Sequence, residues 1–158
     1  MTTTGTATPL LDPRVLALAH YAGRGILERV LAGHGVTFQE SVTLRVAAVA
    51  DGPVEREGIA AEVVGSLKIG AAEARAVVDG LVGAGLLAAE GPSGVRITDA
   101  GRALHARTSA ETAPVSARIY AGIPTEDLAV AGRVLTLITQ RADAELAALA
   151  GAPATTAK

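Results

Sequence analysis

The sequence predicts a mainly α-helical fold with one small β-hairpin, and three features carry that prediction. An alanine-rich helical run over about Ala71 to Gly83 stops at Gly85-Leu86, a tight turn closes at Gly91-Pro92-Ser93-Gly94, and Val95-Arg96-Ile97-Thr98-Asp99-Ala100-Gly101 opens a further helix. Helix, hairpin wing and helix in that order read as a winged helix-turn-helix. Here it is flanked by long N- and C-terminal helices suited to dimerisation.

The elements follow from local chemistry. Asp12-Pro13 pairs an N-cap with proline at the first helical position, and Val15, Leu18, Ala19, Ala22, Ile26 and Val30 continue a helical period to about Leu31. Gly33-His34-Gly35 ends that helix. Thr37 and Glu40 form a capping box for a second helix, whose apolar positions Val42, Leu44, Val46, Ala47 and Val49 end at Asp51-Gly52-Pro53. A short third helix spans about Arg56 to Val64 and is the first of the helix-turn-helix pair. The fourth, about Ala71 to Gly83, sets Ala74, Val77, Val78 and Leu81 on one face and Arg75 and Asp79 at i,i+4 on another. Gly85 supplies a left-handed cap. Leu86 to Ala89 and Val95 to Thr98 are too short and too β-branched for helices, so they form the wing. Thr98-Asp99 caps a fifth helix from about Ala100 to Tyr120, with a break expected near Pro114. Thr125 caps a last helix that starts with Glu126-Asp127 and runs to about Leu149.

The boundaries expected are a tail over 1–11, a domain over 12–149 and a second tail over 150–158. Within the domain, 37–107 is the winged-helix lobe, while 12–36 and 108–149 are dimerisation helices. The first and last helices carry more apolar surface than this lobe can cover, which predicts pairing with a second copy of the chain.

Composition narrows the function classes. Hydrophobic residues make up 49% of the 158 residues but aromatics only 2%, so Leu, Val, Ile and Ala must build the core. Cysteine is absent, which excludes disulfides, thiolate metal sites and thiol redox chemistry within the chain. No apolar run reaches membrane-spanning length, and Met1 to Pro9 lacks the pattern of a secretion signal; a cytoplasmic protein without membrane partners is expected. The formal net charge is −2 and the only lysines are Lys68 and Lys158, so no basic block marks a polyanion binder.

Four segments together resemble the MarR (multiple antibiotic resistance regulator) family of dimeric winged-helix transcription factors. They are Gly35-Val36-Thr37-Phe38-Gln39, Val77-Val78-Asp79-Gly80-Leu81-Val82-Gly83-Ala84-Gly85-Leu86, Ile97-Thr98-Asp99-Ala100-Gly101 and Ile123-Pro124-Thr125-Glu126-Asp127-Leu128. Their order covers about Asp12 to Leu149. The resemblance implies a homodimer, a palindromic double-stranded DNA site and a small aromatic or phenolic ligand held between the dimerisation helices and the DNA-binding lobe.

On that resemblance, Lys68, Glu73, Arg75, Arg96 and Arg102 are the candidate DNA contacts. Arg75 and Glu73 lie at the groove-facing start of the recognition helix, Arg96 on the wing, and Lys68 and Arg102 beside them. The family usually places Ser, Thr, Arg or Gln in the recognition helix and an Asp-Arg-Arg type sequence in the wing. This chain reads Gly70-Ala71-Ala72-Glu73-Ala74-Arg75-Ala76 and Glu90-Gly91-Pro92-Ser93-Gly94 instead. From Thr37 to Arg107 seven bases face nine acids, a net −2 that opposes phosphate-driven affinity.

A second candidate site gathers His20, Tyr21, Arg24, His34 and Phe38 at the first helix and its exit. A histidine, a tyrosine and an arginine near an apolar stripe suit a phenolic or carboxylate ligand, while the alternative places His20 at the dimer interface and the rest on the surface. Catalytic chemistry finds little support. His20, His34 and His105 match no metal spacing, with His105 expected to be exposed; Gly23-Arg24-Gly25 is an incomplete dinucleotide loop; and Ser41, Ser66 and Ser93 sit in no nucleophile elbow. Neither cofactor, metal nor catalytic residue is assigned. Three readings stand: a ligand-responsive repressor, a relative that has given up DNA to bind or transform a small molecule, and a dimeric protein-interaction module.

Overall fold

The computed structural model describes residues 10–50 and 52–151; Asp51 and most of both expected tails lie outside these residues. The elements in order are α1 (Pro13–Ala32), α2 (Phe38–Val49), β1 (Val54–Glu55), α3 (Arg56–Leu67), α4 (Ala71–Gly83), β2 (Leu87–Glu90), β3 (Gly94–Ile97), α5 (Asp99–Tyr120) and α6 (Thr125–Gly151). One compact unit ends at Val115 and a second begins at Ser116. No helix among the described residues is long and apolar enough to cross a membrane.

Local chemistry sets the helix ends. The Asp12 carboxylate accepts from the Val15 N–H at 2.8 Å, and both halves of the Thr37–Glu40 capping box are formed. At the end of α4, Leu86 N donates to Leu81 O and Gly85 N to Val82 O, with Gly85 at φ +71°. This is a complete Schellman turn, and only a residue free of a Cβ adopts that φ without strain. Helix α3 runs a turn past the expected Val64. It ends where Lys68 takes the left-handed conformation at φ 57° and donates its N–H to Val64 O.

Three sequence expectations need correction. Helix α5 passes through Pro114 without interruption; the missing proline N–H removes one hydrogen bond, and the carbonyl of exposed Ala110 that it leaves can turn to solvent. Thr125 is the first residue of α6 rather than its cap, and α6 extends through Ala150 and Gly151, into the expected tail. The wing also holds a third strand. Strand β1 pairs antiparallel with β3 (Val54↔Val95, Glu55↔Gly94), giving the order β1-β3-β2. Two residues are too few to show an alternating pattern, and β1 exists only because a strand about 40 positions later supplies its partner.

The core lies in the first unit. Leu44 and Ala47 of α2, Ile59, Ala60 and Val63 of α3, Ala74, Val78 and Leu81 of α4, and Leu87, Val95 and Ile97 of the wing strands are buried, with Leu104 of α5. Leu31 is the one buried residue of α1. In the second unit no described residue of α6 is buried; Val130, Val134, Leu137, Ile138, Leu146 and Leu149 are all exposed in the single chain.

The start of α5 is fixed by close approach. A Cβ on Gly101 would lie 2.2 Å from the Leu86 carbonyl oxygen, a backbone atom also held by Thr98. Gly101→Ala is therefore expected to destabilise the protein by about 1–3 kcal/mol through forced displacement of a packed backbone. Urea unfolding of this variant beside an exposed control on the same helix, Ala103→Ser, checks the expectation; an unchanged midpoint would mean that the approach relaxes freely.

Candidate nucleic-acid interface and ligand cavity

Helix α4 carries its apolar face inward through Ala74, Val78 and Leu81, which leaves Glu73, Arg75 and Asp79 exposed. The i,i+4 pair expected between Arg75 and Asp79 is absent. An arginine four residues before an acid is the weaker orientation against the helix dipole, and α3 offers both side chains better partners. Arg75 docks on Glu57 through Nε at 2.9 and 3.0 Å and Nη2 at 2.9 Å. Arg56 donates to Asp79. Adjacent residues of α3 thus strap two positions one turn apart on α4.

Most of the remaining candidate DNA contacts are also engaged. Gln39 Nε2 donates to Glu73 Oε1 at 2.7 Å, joining the first turn of α2 to that of α4. In the wing, Arg96 of β3 forms an ion pair with Glu90 of β2, Nε to Oε2 at 2.9 Å, diagonally across the Ala88↔Arg96 register. Lys68 occupies the left-handed cap between α3 and α4. Arg102 is exposed in the first turn of α5.

Electrostatics follow the geometry. The hydrogen-bonded Arg75 guanidinium holds the Glu57 carboxyl below its ordinary range, against an opposing desolvation, and Glu57 in turn raises Arg75. Because the folded-state value of Glu57 is depressed, the contribution of this pair is complete above the ordinary glutamate range and is lost as pH falls through the depressed value. Both side chains are at least half exposed, so the bridge orients Arg75 far more than it stabilises the fold.

A cavity of about 350 Å³ opens in the same unit, lined by Leu27 of α1, Phe38, Ser41, Val42 and Arg45 of α2, and His105, Thr108, Ser109 and Thr112 of α5. Of the five residues expected at a ligand site, Phe38 lines this cavity. Arg24 stacks on its ring, 4.5 Å from the centroid, and also pairs with Glu28 at 2.7 Å. His34 meets Glu111 at 2.9 Å, tying the α1–α2 turn to α5. His20 and Tyr21 sit edge to face, 5.9 Å between centroids, on the exposed surface of α1.

His105 is half-buried rather than exposed, because α5 turns it into the cavity. The sequence carried a signal for these residues. Phe38, Ser41, Val42 and Arg45, and likewise His105, Thr108, Ser109 and Thr112, recur at i, i+3, i+4 and i+7, one face of each helix. No acid lines the cavity, and among the described residues no carboxylate pairs with Arg45 or His105. Thr108 and Thr112 spend their hydroxyl protons on Leu104 and Thr108 carbonyls, leaving oxygen lone pairs available.

The Glu57–Arg75 bridge yields a direct test. In Arg75→Ala the Glu57 carboxyl should titrate back near the ordinary glutamate range, whereas Arg96→Ala should leave it depressed. Carboxyl carbon shifts followed by NMR from neutral pH into acid read this out; identical Glu57 curves in wild type and Arg75→Ala would remove the bridge from solution.

No family model and no curated relative matches the sequence. Solved structures match strongly. CouR from Rhodococcus jostii RHA1, bound to p-coumaroyl-CoA, aligns at 20% identity with a TM-score of 0.66, covering 79% of this chain and 88% of that one. The Mycobacterium tuberculosis MarR family protein Rv2887 in complex with DNA aligns at 22% identity and a TM-score of 0.62, over 82% of this chain and 98% of that one. The transcriptional regulator PA3341 aligns at 23% identity and 0.67, over 82% and 96%. On this likeness the chain has the winged helix-turn-helix fold of the MarR-family regulators.

Proposed function

We propose that the chain is a homodimeric DNA-binding transcriptional regulator, acting as a repressor that a small organic anion releases. The observation that carries this reading is the double duty of α2. Its Ser41, Val42 and Arg45 face the cavity while Leu44 and Ala47 enter the core with α3 and α4. Its second residue, Gln39, holds the first turn of α4 through Glu73. A ligand that shifts α2 therefore acts on the recognition helix through packed side chains and one hydrogen bond, a route to differential affinity between two states.

The lining favours the ligand class. Arg45 and His105 supply positive or donor groups, Ser41, Ser109 and the threonines supply hydroxyls, and Leu27, Phe38 and Val42 give an apolar wall. That combination suits an aromatic or aliphatic carboxylate or a phenolate. Arg24 belongs to the site through its stack on Phe38, and His34 braces it from behind. The coumaroyl-CoA complex of one structural neighbour and the DNA complex of another support this pairing of ligand and DNA. Arg75 is assigned to base readout, and Lys68, Arg96 and Arg102 to phosphates. The exposed apolar residues of α6 and α1, with His20 and Tyr21, are assigned to the surface between subunits.

A second reading is favoured by the pairing of Arg75 and Arg96 with Glu57 and Glu90: a protein that has given up DNA and keeps the cavity for sequestering or transforming its ligand. Selection of genomic fragments by the purified protein at about 50 mM salt decides between them, since counterion release makes even weak phosphate binding visible there. Retained fragments that elute with ligand support the regulator; retention of none favours the second reading.

Two further outcomes are expected. By calorimetry with small aromatic carboxylates, Arg45→Ala should weaken binding by roughly 1–3 kcal/mol through loss of a charge-assisted hydrogen bond; equal affinity would place the ligand elsewhere. In sedimentation, Leu146→Glu should convert dimer to monomer at micromolar concentration. A wild-type monomer under those conditions would remove the dimer.

A further inference from the structure

We infer that Glu57 limits the DNA affinity of the chain through Arg75: it occupies the Arg75 guanidinium in the fork geometry that a guanine edge would use, so that a site offering such an edge must repay its displacement and other sites leave the pair closed. This rests on the reading of α4 as the DNA-facing helix.

The geometry sets up a competition for one fork. Two parallel N–H donors of Arg75 meet both Glu57 carboxylate oxygens within 3.0 Å. The O6 and N7 acceptors of guanine in the major groove present a similar spacing, and the guanidinium cannot serve both. The pair is open to solvent, with side-chain exposures of 50% for Arg75 and 65% for Glu57, so exchange needs no rearrangement of the core.

The two kinds of DNA complex feel the carboxylate differently. On random DNA the cation that would neutralise a phosphate is already neutralised, and freeing it leaves Glu57 unpaired beside a polyanion. On a site with guanine in register, Arg75 recovers two directed bonds. The carboxylate thus keeps Arg75 off phosphates on random DNA, and it weakens most the complexes in which Arg75 must be freed to read a guanine. A glutamate is ionised at neutral pH in any case, and Arg75 and the nearby Arg56 lower its pKa further, so the competitor is present under physiological conditions.

Glu57→Gln removes the charge with little change of shape. The Arg56–Asp79 strap and the buried Ile59, Val63, Ala74 and Val78 contacts remain to hold α3 on α4. Fluorescence anisotropy would compare wild type, Glu57→Gln and Glu57→Gln with Arg75→Ala on a selected genomic fragment and on a scrambled duplex of the same composition. Glu57→Gln should tighten binding to the scrambled duplex about tenfold at about 50 mM salt and steepen the log–log salt slope by about one, the signature of one added phosphate contact. The selected fragment, on which wild type must break the pair, should gain at least as much, and adding Arg75→Ala should abolish both gains. Glu57→Ala repeats the comparison with no amide that could bond to Arg75 in place of the carboxylate.

A gain confined to the scrambled duplex, no gain, or a gain that survives loss of Arg75 overturns the inference. If wild type holds DNA and Glu57→Gln is indistinguishable from it, this inference alone fails. If neither protein retains any duplex at that salt, the DNA-binding reading fails with it.

Discussion

The peptide at Leu86 is the joint on which the described lobe depends. Its N–H closes the Schellman turn of α4 on Leu81 O, and its carbonyl accepts from the Thr98 backbone N–H at 3.1 Å and from the Thr98 hydroxyl at 3.1 Å. That carbonyl also abuts Gly101. The end of α4, the base of the wing and the start of α5 therefore share one backbone group. Because buried backbone polar groups must be satisfied, none of the three can shift without unpairing it. The Thr98 hydroxyl adds a bond to Gly85 O at 2.7 Å and accepts from Gly101 N at 3.0 Å, closing the junction on itself.

Around that joint the division between core and surface is sharp. Interior positions are aliphatic, and the buried threonines Thr43 and Thr108 return their protons to carbonyls within their own helices, Thr43 to Gln39 O at 2.8 Å. No buried side-chain nitrogen or oxygen among the described residues lacks a partner. The charged outer face of α3, α4 and the wing is organised differently, with each of Arg56, Arg75 and Arg96 opposed by an acid from a neighbouring element. Exposed pairs of this kind hold side-chain direction without adding much stability. A face with a net negative count of charges can still present directed donors, because its arginines are aimed rather than merely numerous.

Helix α2 links the two candidate sites. One of its faces contributes Leu44 and Ala47 to the core, the next lines the cavity, and its first turn reaches α4 through Gln39. Since a close-packed interior transmits displacement rather than absorbing it, a helix with the cavity on one side and α4 on the other is placed to couple them. Arg24 over Phe38 and His34 against Glu111 brace the cavity from outside its lining.

Local chemistry in the sequence by itself determined the helices and the wing. The Asp12 and Thr37 caps, the left-handed Gly85, the turn at Gly91 to Gly94 and the helical periods all act within a few residues, so they are legible before folding. The two polar faces that line the cavity were legible in the same way, as i, i+3, i+4, i+7 sets on α2 and α5, but only the fold reveals that they face one another. Strand β1 was decided by tertiary context, since its partner is supplied by distant chain. The same holds for the partners of the arginines: Glu57 lies 18 residues from Arg75 and Asp79 lies 23 from Arg56. Local spacing instead suggested Arg75 with Asp79, because a helix period registers only neighbours on one helix. Which acid meets which base is fixed by how α3 crosses α4, and that crossing is set by the apolar residues between them.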